Sequence, residues 1–165
     1  MARMNTPCAA WAIDLLAIQP HDRVLEVGCG PGVGLQLLAR AAAAGAVAGV
    51  DASVEMVRQA TARNRYAIQS GWIDVRHGVV ECLPFADQTF DKALAINAMQ
   101  VWTDAEAGLR ELRRVLKTEG SLALAFTPYA GQPKSGAPER LTTAGFTAAR
   151  VVESALGFCV LASKP

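Results

Sequence analysis

Two hydrophobic spacings alternate along the chain, short apolar runs and apolar positions three or four residues apart. The first pattern predicts buried strands and the second predicts helices. Strands are expected at 23–27, 46–50, 72–77, 90–96, 121–126, 149–152 and 158–162. Helices are expected at 5–18, 32–44, 104–117 and 139–144, and over about 13 residues after Ser53, which suits a helix N-cap.

Alternation of strands and helices predicts a parallel sheet with helices on both faces. Too few residues join the last two strands for a parallel crossover, so these strands should pair antiparallel. The expected fold is therefore α/β, a Rossmann-like doubly wound sheet of seven strands, mostly parallel with an antiparallel last strand. Since no repeat or composition shift divides the chain, we expect a single domain over 1–165, in which residues 1–20 form an N-terminal helix that can act as a lid.

Composition narrows the possible partners and compartment. The 165 residues include 16 basic and 15 acidic ones, for a net charge of +1, so nothing favours nucleic acid as a partner. No apolar run is long enough to span a membrane, and no secretory signal is visible. The four cysteines are far apart in sequence, which favours free thiols and a cytoplasmic location over a metal or redox pair.

The candidate chemistry starts at a glycine-rich turn between the first strand and the next helix. The run VLEVGCGPGVG covers residues 24–34 and contains Glu26, Gly28, Cys29 and Gly30. Glycines allow sharp turns and close approach of a ligand to the backbone, and a helix N-terminus attracts negative charge. Such a turn also occurs without any ligand, so this signal is weak by itself.

A dinucleotide-binding fingerprint is the main alternative for this turn. Its spacing needs a small third residue, but Val33 or Leu35 stands there, depending on the starting glycine. The observed form is instead E-x-G-x-G-x-G. Asp51 at the end of the second strand can accept hydrogen bonds from both hydroxyls of a ribose, or it can simply cap the next helix. With the glycine turn in register, we favour the ribose.

These residues resemble the class I S-adenosylmethionine-dependent methyltransferases, in particular the small-molecule branch that includes the ubiquinone/menaquinone-biosynthesis enzymes. Four segments carry the resemblance in order along residues 10–127: VLEVGCGPGVG, VAGVDASVEMV, GVVECLPFADQTFDKALAINAMQVWTD and LRELRRVLKTEGSLAL. The resemblance implies methyl transfer from S-adenosylmethionine by in-line displacement, without a metal, to a small organic acceptor.

The resemblance also implies roles for individual residues. Residues of the glycine turn would line the methionine part of the cofactor, Asp51 would hold the ribose, and Ala52 would lie under the adenine. The backbone of Val80 would reach the adenine edge, and a carbonyl of Ile96 or Asn97 would reach the cofactor's amino group. The full predicted cofactor set is Glu26, Gly28, Cys29, Gly30, Asp51, Ala52, Val79, Val80, Glu81, Ile96 and Asn97.

This sequence departs from the family pattern in two places. Relatives often have an acid where Val79 stands, so either Glu81 or a water replaces its contact with the adenine amino group, or that contact is lost. The cap region after the fifth strand is short, about 128–138, so the acceptor site is open or a second subunit helps to close it, as in a homodimer. The segment 1–11 can also form part of a lid.

Catalytic residues are left unassigned, because methyl transfer needs a general base only for a weakly acidic nucleophile. Trp102 and Tyr129 are the candidate acceptor contacts. The alternatives are a catalytically inactive cofactor-binding or regulatory protein of the same fold, and a nucleotide-dependent oxidoreductase, which the glycine spacing disfavours.

Overall fold

The computed structural model describes residues 2–165, with side chains from Thr6 onward. Within that range the strands are β1 Arg23–Val27, β2 Ala46–Asp51, β3 Ile73–His77, β4 Phe90–Ile96, β5 Leu116–Phe126, β6 Thr147–Ser154 and β7 Gly157–Ser163. The helices are α1 Ala2–Leu16, α2 Val33–Ala41, α3 Val54–Arg63, α4 Arg65–Gln69, α5 Ala105–Val115 and α6 Ala137–Thr143, with single 3₁₀ turns at Val80–Cys82 and Met99–Val101.

All seven strands join one sheet in the order β3-β2-β1-β4-β5-β7-β6. Strands β1 to β5 are parallel, while β7 is antiparallel to both of its neighbours, β5 and β6. The predicted fold class is confirmed, including the antiparallel last strand. The strand order reverses between β1 and β4, and ligands of open α/β sheets bind beyond the carboxyl ends of the strands at such a point.

Helices cover both faces of the sheet. On one face, α5 and α6 contribute Leu109, Leu112 and Leu141 to a buried apolar cluster. On the other face, α1, α2 and α3 pack against a second cluster. No helix within residues 2–165 is long and apolar enough to cross a membrane.

Several predicted boundaries were wrong, and three of them have a physical reason in the structure. Helix α2 ends at Ala41, because the following residues form a turn in which the Gly45 N–H donates to the Ala42 carbonyl and the Ala44 N–H donates to the Pro20 carbonyl. The helix after Ser53 is divided at Asn64, whose side chain bonds to backbone carbonyls. Strand β5 begins directly after α5, through a polar bulged segment that has no alternating pattern.

Candidate functional site

The glycine turn after β1 is held by the end of β2. The N–H groups of Gly28 and Cys29 both donate to the carbonyl of Val50, at 2.8 and 3.1 Å. Gly28 has a φ of +73°, and a Cβ there would lie 2.9 Å from the Cβ of Ala98. Backbone conformation and close packing therefore both require glycine at this position.

Glu26 is a buried carboxylate directly beneath this turn. It is 4% exposed, and its Oε2 has no hydrogen-bond partner among the described residues. A Cβ on Gly34 would lie 2.6 Å from that same oxygen, so the last glycine of the motif makes room for the carboxylate. Burial, and secondarily the charge of Asp51, raises the pKa of Glu26 to about 8. The pKa of the Cys29 thiol is also raised, first by burial and then by the charges of Glu26 and Asp51.

Asp51 connects the glycine turn to helix α3. Its Oδ2 accepts the Gly30 N–H at 2.8 Å, and its Oδ1 accepts the Ser53 N–H at 2.9 Å. The Ser53 hydroxyl accepts the Met56 N–H and caps α3, as the sequence predicted. A carboxylate accepts about four hydrogen bonds, so each oxygen of Asp51 keeps capacity for a further donor.

Three cavities adjoin at the carboxyl end of the sheet, and Gly28 lines all of them. We name them after one lining residue each. The Asp51 cavity has a volume of about 240 Å³, the Glu26 cavity about 80 Å³ and the Tyr129 cavity about 600 Å³. The switch point of the sheet therefore forms one cleft with three lobes.

The Asp51 and Glu26 cavities bring together the predicted cofactor residues. Those in the Asp51 cavity are Gly28, Asp51, Ala52, Val79, Val80, Glu81 and Asn97. Those in the Glu26 cavity are Glu26, Gly28, Cys29, Gly30 and Ile96. Every residue of the predicted set thus lines one of two adjoining cavities.

The two predicted acceptor contacts lie apart. Tyr129 lines the Tyr129 cavity and is 85% exposed, while Trp102 lines the Asp51 cavity. The Trp102 ring packs against α5, since a Cβ on Gly108 would lie 3.0 Å from its Cε3 atom. Trp102 therefore belongs structurally to the wall opposite Asp51.

Glu81 is already engaged by the protein. Its Oε1 accepts the N–H of Asp104, the residue that caps α5, at 3.0 Å. Val79 is 47% exposed at the mouth of the Asp51 cavity. Glu81 thus helps to fix the start of α5 while it lines the cavity.

Asn97 ties β4 to β5 where the Asp51 and Tyr129 cavities meet. It has a φ of +49°, a conformation that asparagine adopts more readily than most residues. Its Nδ2 donates to the Thr127 hydroxyl at 3.0 Å, and its Oδ1 accepts the Thr127 N–H at 2.9 Å. The hydrogen bonds between the Asn97 side chain and Thr127 therefore fix the backbone at Asn97, where a carbonyl is predicted to reach the cofactor.

Sequence reasoning missed one wall of the Tyr129 cavity. Ala155 and Leu156, in the turn between β6 and β7, lie opposite Pro7 and Cys8 of α1. The α1 wall agrees with a lid in segment 1–11, although Met1 and the side chains of 2–5 lie outside the described residues. In the sequence, only the small number of residues between the last two strands indicates this turn. That number does not show which part of the protein the turn packs against.

Charge is distributed unevenly over the cleft. Glu26 and Asp51 bring carboxylates to two lobes, whereas no described residue lining the Tyr129 cavity is an acid, a lysine, an arginine or a histidine. Within the described part of the chain, no three His, Cys, Asp or Glu residues are grouped to hold a metal ion.

Comparison with known proteins agrees with this geometry. A family model described as a methyltransferase domain matches residues 25–124. The protein YrhH of Bacillus subtilis (strain 168) is 32% identical over 92% of this chain and 83% of its own length. Its name describes it as a methyltransferase. The ubiquinone/menaquinone biosynthesis C-methyltransferase UbiE of Geotalea daltonii is 33% identical over 69% of this chain, which spans 49% of that protein.

Among solved structures, an S-adenosylmethionine-dependent methyltransferase from Aquifex aeolicus superposes with a TM-score of 0.86 at 23% identity. The match covers 95% of this chain and 89% of that one. At this identity the likeness is one of fold.

Proposed function

Because this chain belongs to the methyltransferase domain family and is a class I S-adenosylmethionine-dependent methyltransferase, we propose that its cleft holds the two halves of the cofactor and a small organic acceptor. The Glu26 cavity would take the methionine half, the Asp51 cavity the adenosine half, and the Tyr129 cavity the acceptor. The buried, unpartnered oxygen of Glu26 is the observation that carries this proposal.

Glu26 fits the methionine half by charge. A buried carboxylate without a partner is costly, and an ammonium group within hydrogen-bond distance would offset that cost. The methionine half carries such an α-ammonium group, and the sulfonium adds a second positive charge. Two carboxylates, Glu26 and Asp51, therefore face a ligand with excess positive charge.

Asp51 and its neighbours fit the adenosine half. Bonds from the Gly30 and Ser53 N–H groups fix the carboxylate of Asp51, which keeps capacity for two ribose hydroxyls. Several apolar side chains line the same cavity and suit a flat base; they include Ala52, Val79, Val80 and Trp102. Glu81 lines the same cavity and stays the candidate for the adenine amino group.

The chemistry that the cofactor supplies when bound is an electrophilic methyl group on sulfur, which an acceptor displaces in line. The chain's own part is to position the reactants and exclude water. Gly28 lines all three lobes, and Ile96 and Asn97 each line two. The reactants therefore converge on these residues, and no metal is needed to activate the methyl group.

The lining of the Tyr129 cavity indicates an uncharged acceptor. Its polar side chains include Asn97, Gln100 and Thr127, and its other described residues are mostly apolar. A charged molecule would lose hydration there without gaining an opposite charge. No carboxylate, imidazole or amine lines the cavity among the described residues, and its ionisable side chains are Cys8 and Tyr129. An acceptor that needs no strong general base fits this lining best.

Several broader expectations stay proposals: a single domain over 1–165, a homodimer and a cytoplasmic location. Val101, Tyr129 and Leu156 are exposed near the Tyr129 cavity, and a second copy would cover them. Light scattering across a concentration series would measure that association. The cytoplasmic location rests on four free cysteines, which suit a reducing compartment.

The second candidate function is a cofactor-binding or regulatory protein without transferase activity. It is motivated by the short cap region after β5 and by Val79, which stands where many relatives have an acid. The possible substitute, Glu81, already accepts the Asp104 N–H through its Oε1.

Calorimetry and a labelled-methyl assay separate the two functions. We expect S-adenosylmethionine and S-adenosylhomocysteine to bind, NAD not to bind, and label to appear in a neutral compound from a broad acceptor panel. Binding without transfer to any panel member favours the second function. Failure of both cofactor forms to bind would overturn the cofactor assignment.

A further inference from the structure

We infer that Asn64, outside the cofactor cleft, is a positioning residue that holds the glycine turn in its binding conformation. The buried polar residues of the described chain are Glu26 and Asn64. Glu26 lines the cleft, whereas Asn64 lines none of its three lobes. The inference rests on the proposed function only in so far as the turn binds the cofactor.

Asn64 contacts the turn directly. It is 4% exposed, and its Nδ2 donates to the Gly32 carbonyl at 3.1 Å and to the Ala60 carbonyl at 2.9 Å. A Cβ on Gly32 would lie 2.5 Å from the same Nδ2 and 2.9 Å from the Ala60 Cα. Gly32 thus packs against the end of α3 with no room for a side chain, and one amide group bridges the two elements.

Arg63 makes a second bond to the same stretch. Its Nε donates to the Pro31 carbonyl at 2.9 Å. Neighbouring residues at the end of α3 therefore bond to two successive carbonyls of the turn. Both bonds connect residues 32 positions apart in sequence, so they fix the tertiary arrangement rather than local helix structure.

Helix α3 consequently connects two parts of the cleft. At its start, Ser53 bonds to Asp51, which also accepts the Gly30 N–H. At its end, Asn64 and Arg63 hold the carbonyl side of the turn. The N–H groups and carbonyls of one short loop are thus fixed from opposite ends of the same helix.

The division between α3 and α4 is explained by the same residue. Asn64 has φ −105° and ψ 16°, outside regular helix geometry, and the helix resumes at Arg65. In this conformation the buried side-chain amide of Asn64 reaches the carbonyls of both Gly32 and Ala60, and an uninterrupted helix would not have this backbone geometry. The break has a structural role at the turn.

The test measures the turn and the cofactor site separately in the full chain. Asn64→Ala removes the donor and leaves the Gly32 carbonyl without its partner. Loss of one buried hydrogen bond changes an equilibrium by roughly tenfold, so we expect the dissociation constant of S-adenosylhomocysteine to rise by about that factor. We also expect faster amide hydrogen exchange at 30–34.

The matched control is Leu141→Val in α6. Leu141 is fully buried on the opposite face of the sheet. Its substitution by valine lowers the stability of the protein without changing any contact of the glycine turn. At an equal loss of Tm, this variant should keep wild-type affinity and wild-type exchange at 30–34. If Asn64→Ala matches it in both measurements, the positioning role is refuted.

Arg63→Ala keeps the inference testable if Asn64→Ala does not fold, because the Arg63 bond is exposed. It should raise exchange at 30–34 and weaken affinity a few-fold; wild-type values for both would overturn the inference. Hydrogen exchange needs no ligand, so a wild-type protein that binds no cofactor would refute the proposed function and leave this test standing.

Discussion

The loops after β1 and β5 both reach the cleft, but different bonds hold them. After β1, successive N–H groups are accepted by Val50 and Asp51, and successive carbonyls accept bonds from Arg63 and Asn64. After β5, long-range bonds to Asn97 hold the first residue, Thr127, and one exposed ion pair holds Lys134 farther along the loop.

Beyond Thr127, most hydrogen bonds of the loop after β5 join residues within that loop. The Ala130 N–H donates back to Thr127 at 3.0 Å, and Tyr129 extends into solvent. An exposed ion pair between Lys134 and Glu153 is its remaining long-range tie, and such pairs contribute little. The first loop therefore has one conformation set by the fold, and the second can change sequence without disturbing the sheet. We interpret the first as the cofactor loop and the second as the acceptor loop.

The largest effect is expected at Gly28. Gly28→Ala adds a Cβ 2.9 Å from Ala98 at a φ of +73°, so the turn must move. Strain and overpacking together cost about 3–5 kcal/mol, which corresponds to a loss of at least a hundredfold in cofactor affinity by calorimetry.

Gly30→Ala is the matched control, since Gly30 has a φ of +52° but nothing within 4 Å of a built Cβ. It should show the strain alone, a few-fold effect. Adding Ala98→Gly to Gly28→Ala should recover part of the affinity; no recovery would rule out the close contact as the cause.

The next effect is expected at Asp51. Asp51→Asn keeps the shape but turns an amide donor toward one of the N–H groups that the carboxylate accepts. Losing charged hydrogen bonds costs about 2–4 kcal/mol, so affinity for S-adenosylhomocysteine should fall by more than tenfold. Asp74→Asn on β3, an exposed carboxylate paired with Arg76, is the control. Equal affinity in the two variants would contradict the ribose assignment.

Glu26 should make stability depend on pH. Its pKa rises from 4.5 to about 8 on folding, so the folded protein binds more protons than the unfolded chain between these values. The contribution of Glu26 to stability is therefore fully present below pH 4.5 and is lost as pH rises toward 8, by about 2–3 kcal/mol between pH 5 and 7.

Glu26→Gln removes this titration. Urea unfolding should show the variant about as stable as wild type at pH 5, more stable at pH 7, and weaker in cofactor binding at both. Exposed Glu119→Gln is the control. A wild-type profile in Glu26→Gln would show that another group titrates.

The smallest effect is expected in the acceptor loop. Tyr129 is 85% exposed, so Tyr129→Ala should change unfolding free energy by less than about 0.5 kcal/mol and leave cofactor affinity unchanged. Only the KM for the acceptor should rise. Tyr66→Ala, at a tyrosine 71% exposed away from the cleft, should change none of the three. A change in cofactor affinity in Tyr129→Ala would contradict the assignment of the two loops to cofactor and acceptor.

Most of the cofactor half could be predicted from sequence. Strands β1 and β4 have the predicted bounds, because each contains successive residues buried on both faces, 24–27 in β1 and 93–95 in β4. The E-x-G-x-G-x-G spacing indicated the turn because its glycines are required by neighbours close in sequence. For example, the absence of a side chain at Gly34 leaves room for the carboxylate of Glu26.

The rest depended on partners distant in sequence. Nothing near Asn64 shows that its amide bonds to Gly32, so the helix after Ser53 was expected to continue. Trp102 is predicted as an acceptor contact because it follows β4. Its packing against Gly108, in the lining of the Asp51 cavity, is a contact that the sequence did not indicate. The turn at Leu156 likewise joins the cleft only through the pairing of β7 with β5.

Under the proposed function, the burial of Glu26 also links the survival of the protein to the supply of its ligand. A ligand at a hundred times its dissociation constant stabilises a fold by about 2.7 kcal/mol. Copies without ligand keep the buried Glu26 Oε2 without a hydrogen-bond partner and lack the stabilisation from ligand, so they open more often and are cleaved sooner by proteases. The amount of this enzyme in a cell would then fall when methyl donor is scarce, with no separate regulator.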